Sequence, residues 1–135
     1  MFSRHQDHHG ACHAILRIQN VYKLNTTDIA NGIIMNNKAT EPLSAVECLD
    51  IAKTSTKTAY YRQGLDWINI AVQKNLSLAD TLEAKITTAD IFRMDGNFTE
   101  AMAIIRDIQA DIQFKDNLTE YHKSRIKLAE EGTKG

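Results

Sequence analysis

The sequence predicts an all-α protein, and three features lead there. Apolar residues recur at spacings of three and four, and no stretch sustains the apolar/polar alternation of a strand. Helix-start signals punctuate the chain, the clearest being Ser44-Ala45-Val46-Glu47, a capping box in which hydroxyl and carboxylate satisfy each other's backbone N–H. Proline occurs once, at Pro42, and the six glycines fall mostly at junctions.

Taken in order, residues 1–10 are polar and His-rich and are expected to be a disordered tail. A first helix is expected over 11–24, with Ile15, Ile18 and Tyr22 at helical spacing. A shorter one follows over 26–33, capped by Thr26 with Asp28 in its first turn. Residues 34–43 read as a linker, and no sheet is expected.

From Ser44 the spacing predicts a helix to about 58, with Val46, Cys48, Ile51, Ala52 and Ser55 on its inner face. The next runs over 61–75 and carries Leu65, Ile68, Ala71 and Val72. Ser77 to Asp80 open another, which ends at Asp95-Gly96, glycine being suited to the left-handed position after a helix. Its partner spans 97–112, with Ala101, Ile104, Ile105 and Ile108 inward. The last starts at Asn117-Leu118-Thr119-Glu120 and buries Leu118, Tyr121, the Arg125 stem and Leu128. Six or seven helices result.

Two of these helix pairs match each other. Aligning Ala59 with Gly96, an offset of 37 residues, places Ala52 on Ala89, Gly64 on Ala101 and Ile68 on Ile105. Small residues let paired helices approach, and large ones fill the grooves beside them. Small residue, turn, small residue at this period is the pattern of tetratricopeptide-type hairpins. The expected architecture is therefore two such hairpins within 44–131, stacked in a right-handed α-α superhelix, after an N-terminal helical segment over 11–43 and before a short tail at 132–135.

The 135 residues suffice for one compact core, and 43% hydrophobic with 24% charged residues is ordinary for a globular chain. A net charge of -1 gives no basic excess for nucleic acid or an anionic membrane, and no apolar run is long enough to cross a bilayer. The first residues lack an apolar stretch of signal-peptide length. Cys12 and Cys48 allow one bridge, or two free buried thiols, which the helical context of Cys48 favours. Four glycosylation sequons occur, at Asn25, Asn75, Asn97 and Asn117. They point either to the secretory pathway or to the clustering of Asn, Ser and Thr at helix starts. No nucleophile–base pair, phosphate loop or paired-carboxylate motif stands out. His8, His9 and His13 are possible adventitious zinc or nickel ligands at most.

Two stretches go beyond a generic helical repeat: Arg17-Ile18-Gln19-Asn20-Val21-Tyr22-Lys23-Leu24 followed by Ile29-Ala30-Asn31-Gly32, and Leu43-Ser44-Ala45-Val46-Glu47-Cys48 followed by Tyr61 and Trp67. In this order and spacing they resemble the collagen prolyl 4-hydroxylase α-subunits, and Gly96-Asn97-Phe98-Thr99-Glu100-Ala101 fits the second hairpin of that family. The resemblance covers about 11–115. It implies the end of the segment that associates α-subunits, then a tetratricopeptide-like domain that holds proline-rich procollagen. It also implies an endoplasmic reticulum location and a disulfide-isomerase β-subunit as partner. The family's dioxygenase chemistry, with Fe(II), 2-oxoglutarate and ascorbate, belongs to a C-terminal domain that this chain does not contain. His5-Gln6-Asp7 resembles part of an iron site but lacks a strand context and a distal ligand. No catalytic or metal residue and no cofactor is expected here.

The same resemblance assigns the peptide contacts. Tyr60 and Tyr61 stand near the expected groove, with Arg62 where the family has another tyrosine. Thr56, Thr87, Asp90 and Arg93 occupy further family tyrosine positions. Tyrosine both stacks on pyrrolidine rings and donates to carbonyls, so each loss costs about 0.5–1.5 kcal/mol. Either the groove is retuned, with Arg62, Asp90 and Arg93 reading polar groups, or substrate binding is lost. A stand-alone helical-repeat adaptor with no collagen role is the alternative.

Overall fold

The computed structural model describes residues 8–34, 37–38, 41–58, 60–111, 114 and 118–133, without the side chains of 8, 9, 121, 129 and 131–133. Among them the fold is all-α. Seven helices run in order: α1 His8–Tyr22, α2 Thr26–Ala30, α3 Ala45–Ser55, α4 Tyr61–Gln73, α5 Leu78–Met94, α6 Phe98–Ala110 and α7 Glu120–Thr133. Helix α1 starts inside the segment expected to be disordered; residues 1–7, and with them His5-Gln6-Asp7, lie outside the described residues. A short antiparallel ladder was also not expected: Ile33–Ile34 (β1) pairs with Asn37–Lys38 (β2), Ile33 opposite Lys38. Gly32 explains it, since its φ of +82° ends α2 early and turns the chain into the β-branched pair.

The chain divides into two compact units, up to Asn75 and from Leu76 onward. In the first, α1 buries Cys12, Leu16 and Gln19, one stripe at i, i+4 and i+7. This corrects the expected face, because Ile18 is 42% and Tyr22 58% exposed. The helix is turned instead so that Leu16 enters the core and Gln19 reaches a buried tryptophan. Helix α2 is capped by Asn25, whose Oδ1 accepts from Asp28 N at 3.2 Å, and not by Thr26.

Helix α3 starts as the sequence requires. Ser44 Oγ accepts from Glu47 N at 3.1 Å, and Glu47 Oε1 accepts from Ser44 N at 2.9 Å. It buries Cys48, Leu49, Ile51 and Ala52 and pairs with α4, which buries Gly64, Trp67, Ile68 and Ala71. Val46 and Val72, expected inward, lie at the helix margins and are half exposed. Leu43, held by its N–H to Ala30 O at 2.8 Å, closes this core.

In the second unit α5 and α6 form a hairpin turned at Gly96, whose φ is +86°. Leu82, Ile86, Ala89, Ile105 and Ile108 make a core that Phe114 and Ile126 complete. Burial of such aliphatic side chains stabilises by about 1.5–3 kcal/mol each relative to exposure. Helix α7 is capped by Thr119, whose Oγ1 accepts from His122 N at 3.1 Å. Its buried row is His122 and Ile126, and Leu128 is 62% exposed, contrary to the expected stripe. Residue 128 lies about 200° around the helix from Ile126, so both cannot face the core. Asn117 and the Tyr121 side chain lie outside the described residues.

The residues aligned by the 37-residue offset share a fate: Ala52 and Ala89, Gly64 and Ala101, Ile68 and Ile105 are all buried. Each hairpin thus uses small residues for close approach; Ala59 lies outside the described residues. The sequons, too, coincide with helix starts. Asn25 and Asn97 are N-caps of α2 and α6, Ser77 is the N-cap of α5, and Thr119 caps α7. Capping therefore gives these Asn, Ser and Thr residues a place in the fold.

Candidate functional site

The residues expected to contact peptide fall in both units. In the first, Tyr60 and Tyr61 are half-buried where α3 hands over to α4, and Arg62 is exposed one residue on. The Tyr60 ring lies 6.2 Å from the His13 ring, tilted by 44°. Thr56 ends α3 and donates its hydroxyl to Lys53 O at 2.7 Å.

In the second unit Thr87 is fully buried, and its hydroxyl donates to Glu83 O at 2.8 Å. It offers no surface to a peptide. Asp90 and Arg93 belong to a charged cluster that clamps α7 onto α5. Arg125 donates to Asp90 Oδ2 at 2.7 Å and to Glu83, while Arg93 pairs with Asp90 at 3.6 Å. His122 Nε2 lies 3.5 Å from Glu83 Oε2. Glu83 is 6% exposed, and Arg125 with His122 faces its buried carboxylate. Asp90 and Arg93, expected in the groove, and Arg125, expected only to bury its stem, act on one another within the fold.

A cleft of about 900 Å³ lies in the first unit and was not anticipated. One wall is α4, through Arg62, Asp66, Asn69 and Gln73, a row at i, i+4, i+7 and i+11. The facing wall is the end of α1 and the turn into α2, including Asn20 and Lys23. Lys23 holds the left-handed position after α1, with φ +55°, where the bond from Leu24 N to Gln19 O closes the helix. Among the described residues the aliphatic lining is Leu24 and Ile70.

Gln19 forms the floor. It is 4% exposed, its Oε1 accepts from Trp67 Nε1 at 3.0 Å, and its Nε2 donates to Thr26 Oγ1 at 2.5 Å. One side-chain amide thus ties α1, α2 and α4 together. Above it, Gln63 Nε2 donates to Asn20 Oδ1 at 3.2 Å. Of these residues only Arg62 was singled out from the sequence as a contact; a polar row on a helix reads as a solvated face, and the wall opposite comes from distant positions.

Nothing in the described residues resembles a catalytic centre. Cys12 and Cys48 are buried thiols, not joined by a disulfide. Burial pushes both thiols up to about 11; the Thr54 hydrogen bond to Cys12 and the Lys74 charge near Cys48 work the other way, and nearby carboxylates add to the rise. Both stay protonated at neutral pH and are poor nucleophiles. Among the described residues no three His, Cys, Asp or Glu are grouped to hold a metal ion, and no helix is long and apolar enough to cross a membrane.

The residues that carry the family resemblance prove to be the frame of the first unit. Gln19 and Trp67 bond to each other, Ile29, Ala30, Leu43 and Cys48 fill its core, and Ser44 with Glu47 caps α3. Comparison with known proteins agrees. A family profile described as "Prolyl 4-Hydroxylase alpha-subunit, N-terminal region" matches residues 1–36. Prolyl 4-hydroxylase subunit alpha-2 of Caenorhabditis elegans is 33% identical over 73 residues, 54% of this chain and 14% of that protein. Subunit alpha-2 of Gallus gallus is 26% identical over 110 residues, 78% of this chain and 20% of that protein. The chain is similar to the prolyl 4-hydroxylase α-subunits over these stretches. Subunit alpha-1 of C. elegans matches as well, at 29% identity over 82 residues. The chain spans no more than a fifth of the length of the curated α-subunits that it matches.

Proposed function

We propose that this prolyl 4-hydroxylase relative binds extended, proline-rich peptide of procollagen type and does no chemistry on it. The observation that carries the reading is the reach of the similarity. A match over 78% of the chain necessarily runs through both helix hairpins, beyond the 36 residues of the family profile. A proline-rich ligand is already in a polyproline II helix and loses little conformational entropy on binding. Tyr60 and Tyr61 are the platforms left for it, with Arg62 beside them as a donor to ligand carbonyls. Thr56 contributes at the margin; Thr87, Asp90 and Arg93 contribute to the fold of the second unit instead. In this reading the segment works in the endoplasmic reticulum lumen, next to a disulfide-isomerase subunit and to catalytic machinery outside the chain.

The test is fluorescence anisotropy of a labelled (Pro-Pro-Gly)5 peptide titrated with the protein. Binding should be saturable, and Y60A/Y61A should weaken it about 5- to 150-fold, the worth of two aromatic contacts. No saturable change at millimolar protein, or an unaltered affinity in Y60A/Y61A, would refute the reading.

A further inference from the structure

The amide-rich cleft of the first unit shares only Arg62 with the reading above, and neither Tyr60 nor Tyr61 lines it. We propose that it is a second binding site, which takes a short extended peptide through its main-chain amides and prefers an acidic side chain on it.

The dimensions suit such a ligand. Arg62 to Gln73 spans three turns of α4, about 16 Å at 1.5 Å per residue. An extended chain rises about 3.3 Å per residue, so about five residues lie along the row. The chemistry suits it as well. A side-chain amide presents an acceptor and donors in the arrangement of a peptide group, so it pairs with a main chain of any sequence. Asn69 and Gln73 are exposed on the wall, and the Gln63–Asn20 bond uses one polar atom of each amide.

Other ligands fit less well. Among the described residues no aromatic ring lines the cleft to stack on a sugar or a base. The two aliphatic lining residues give little to an apolar ligand. Lys23 and Arg62 outnumber Asp66 among the charged lining residues, which favours a carboxylate over an ammonium on the peptide. Lys23 also holds a left-handed backbone conformation in which glycine is the usual residue, and there it places a cation at the cleft edge.

The experiment is NMR titration of the uniformly 15N-labelled protein with acetyl-Gly-Ser-Glu-Ser-Gly-amide and with the same peptide carrying Lys for Glu. The side-chain NH2 signals of Asn69 and Gln73 and the Trp67 indole N–H, bonded to the cleft floor, are the reporters. We expect saturable shifts in all three at millimolar Glu peptide, with the Lys peptide about 2- to 5-fold weaker, the worth of one exposed charge contact. R62A should erase that preference, and N69A/Q73A should abolish the Trp67 shift while circular dichroism stays unchanged. The response should persist in Y60A/Y61A, which separates this site from the proline-rich reading. Absence of saturable shifts, equal binding of both peptides, or shifts with chitotriose and not with peptide would each overturn the proposal.

Discussion

Replacing Gln19 should loosen the first unit more than any other single polar change in it. Gln19→Leu keeps the side chain's approximate volume but removes the acceptor of Trp67 Nε1 and the donor to Thr26 Oγ1. Trp67 is fully buried, so its N–H is left without a partner, at about 1–3 kcal/mol. Thr26, 9% exposed, loses a neutral hydrogen bond worth about 1 kcal/mol. The sum is about 2–4 kcal/mol. Trp67→Phe strands the Gln19 oxygen and opens a small void, for a loss of about 2–4 kcal/mol. In the double variant neither stranded group exists, so the two losses should fall short of adding by about 1–2 kcal/mol. Chemical denaturation followed by circular dichroism at 222 nm measures all four proteins of the cycle. Additive losses, with a coupling below about 0.5 kcal/mol, would refute the bond and with it the tie between α1 and α4.

Three further outcomes follow from the same coordinates. Arg125→Met takes the guanidinium away from the buried Glu83 and from Asp90 and should cost about 3–5 kcal/mol in a thermal or chemical melt, whereas Lys123→Met, at an exposed pair, should cost less than about 1 kcal/mol. Ser44→Ala breaks the capping box of α3 and should cost about 0.5–2 kcal/mol by the same measurement. Both thiols are raised from 9.0 to about 11 in the folded protein, so the unfolded chain ionises first. Their contribution is complete below pH 9 and is lost as pH climbs through 11, and thiol titration with a disulfide reagent at pH 8 should be slow until denaturant is added.

Much of the fold was legible because its rules are local. The capping box at Ser44, the left-handed glycine at position 96 and the pairing of Ala52 with Ala89 each depend on a few residues and their spacing. Which face of a helix is buried was less legible where two apolar rows compete. Helix α1 offers Ile15, Ile18 and Tyr22 as well as Cys12 and Leu16, and the choice rests on Gln19 meeting Trp67, 48 residues away. Helix α7 repeats the point, since Glu83 on α5 draws Arg125 and His122 inward and turns Leu128 outward. The candidate contacts divided on the same physics. Tyr60, Tyr61 and Arg62 keep partly or fully exposed side chains at a helix start, while Thr87, Asp90 and Arg93 are engaged by partners that alignment alone does not place. The cleft was illegible because its walls are set by tertiary contacts and its residues are ordinary surface types.

Chemical-shift mapping of the backbone amides on addition of (Pro-Pro-Gly)5 addresses the peptide-binding role most directly. Saturable perturbations centred on the start of α4, at Tyr60, Tyr61 and Arg62, are the predicted result. A spectrum that stays unchanged at millimolar peptide, or one in which the perturbed residues all lie in the second unit, would contradict it.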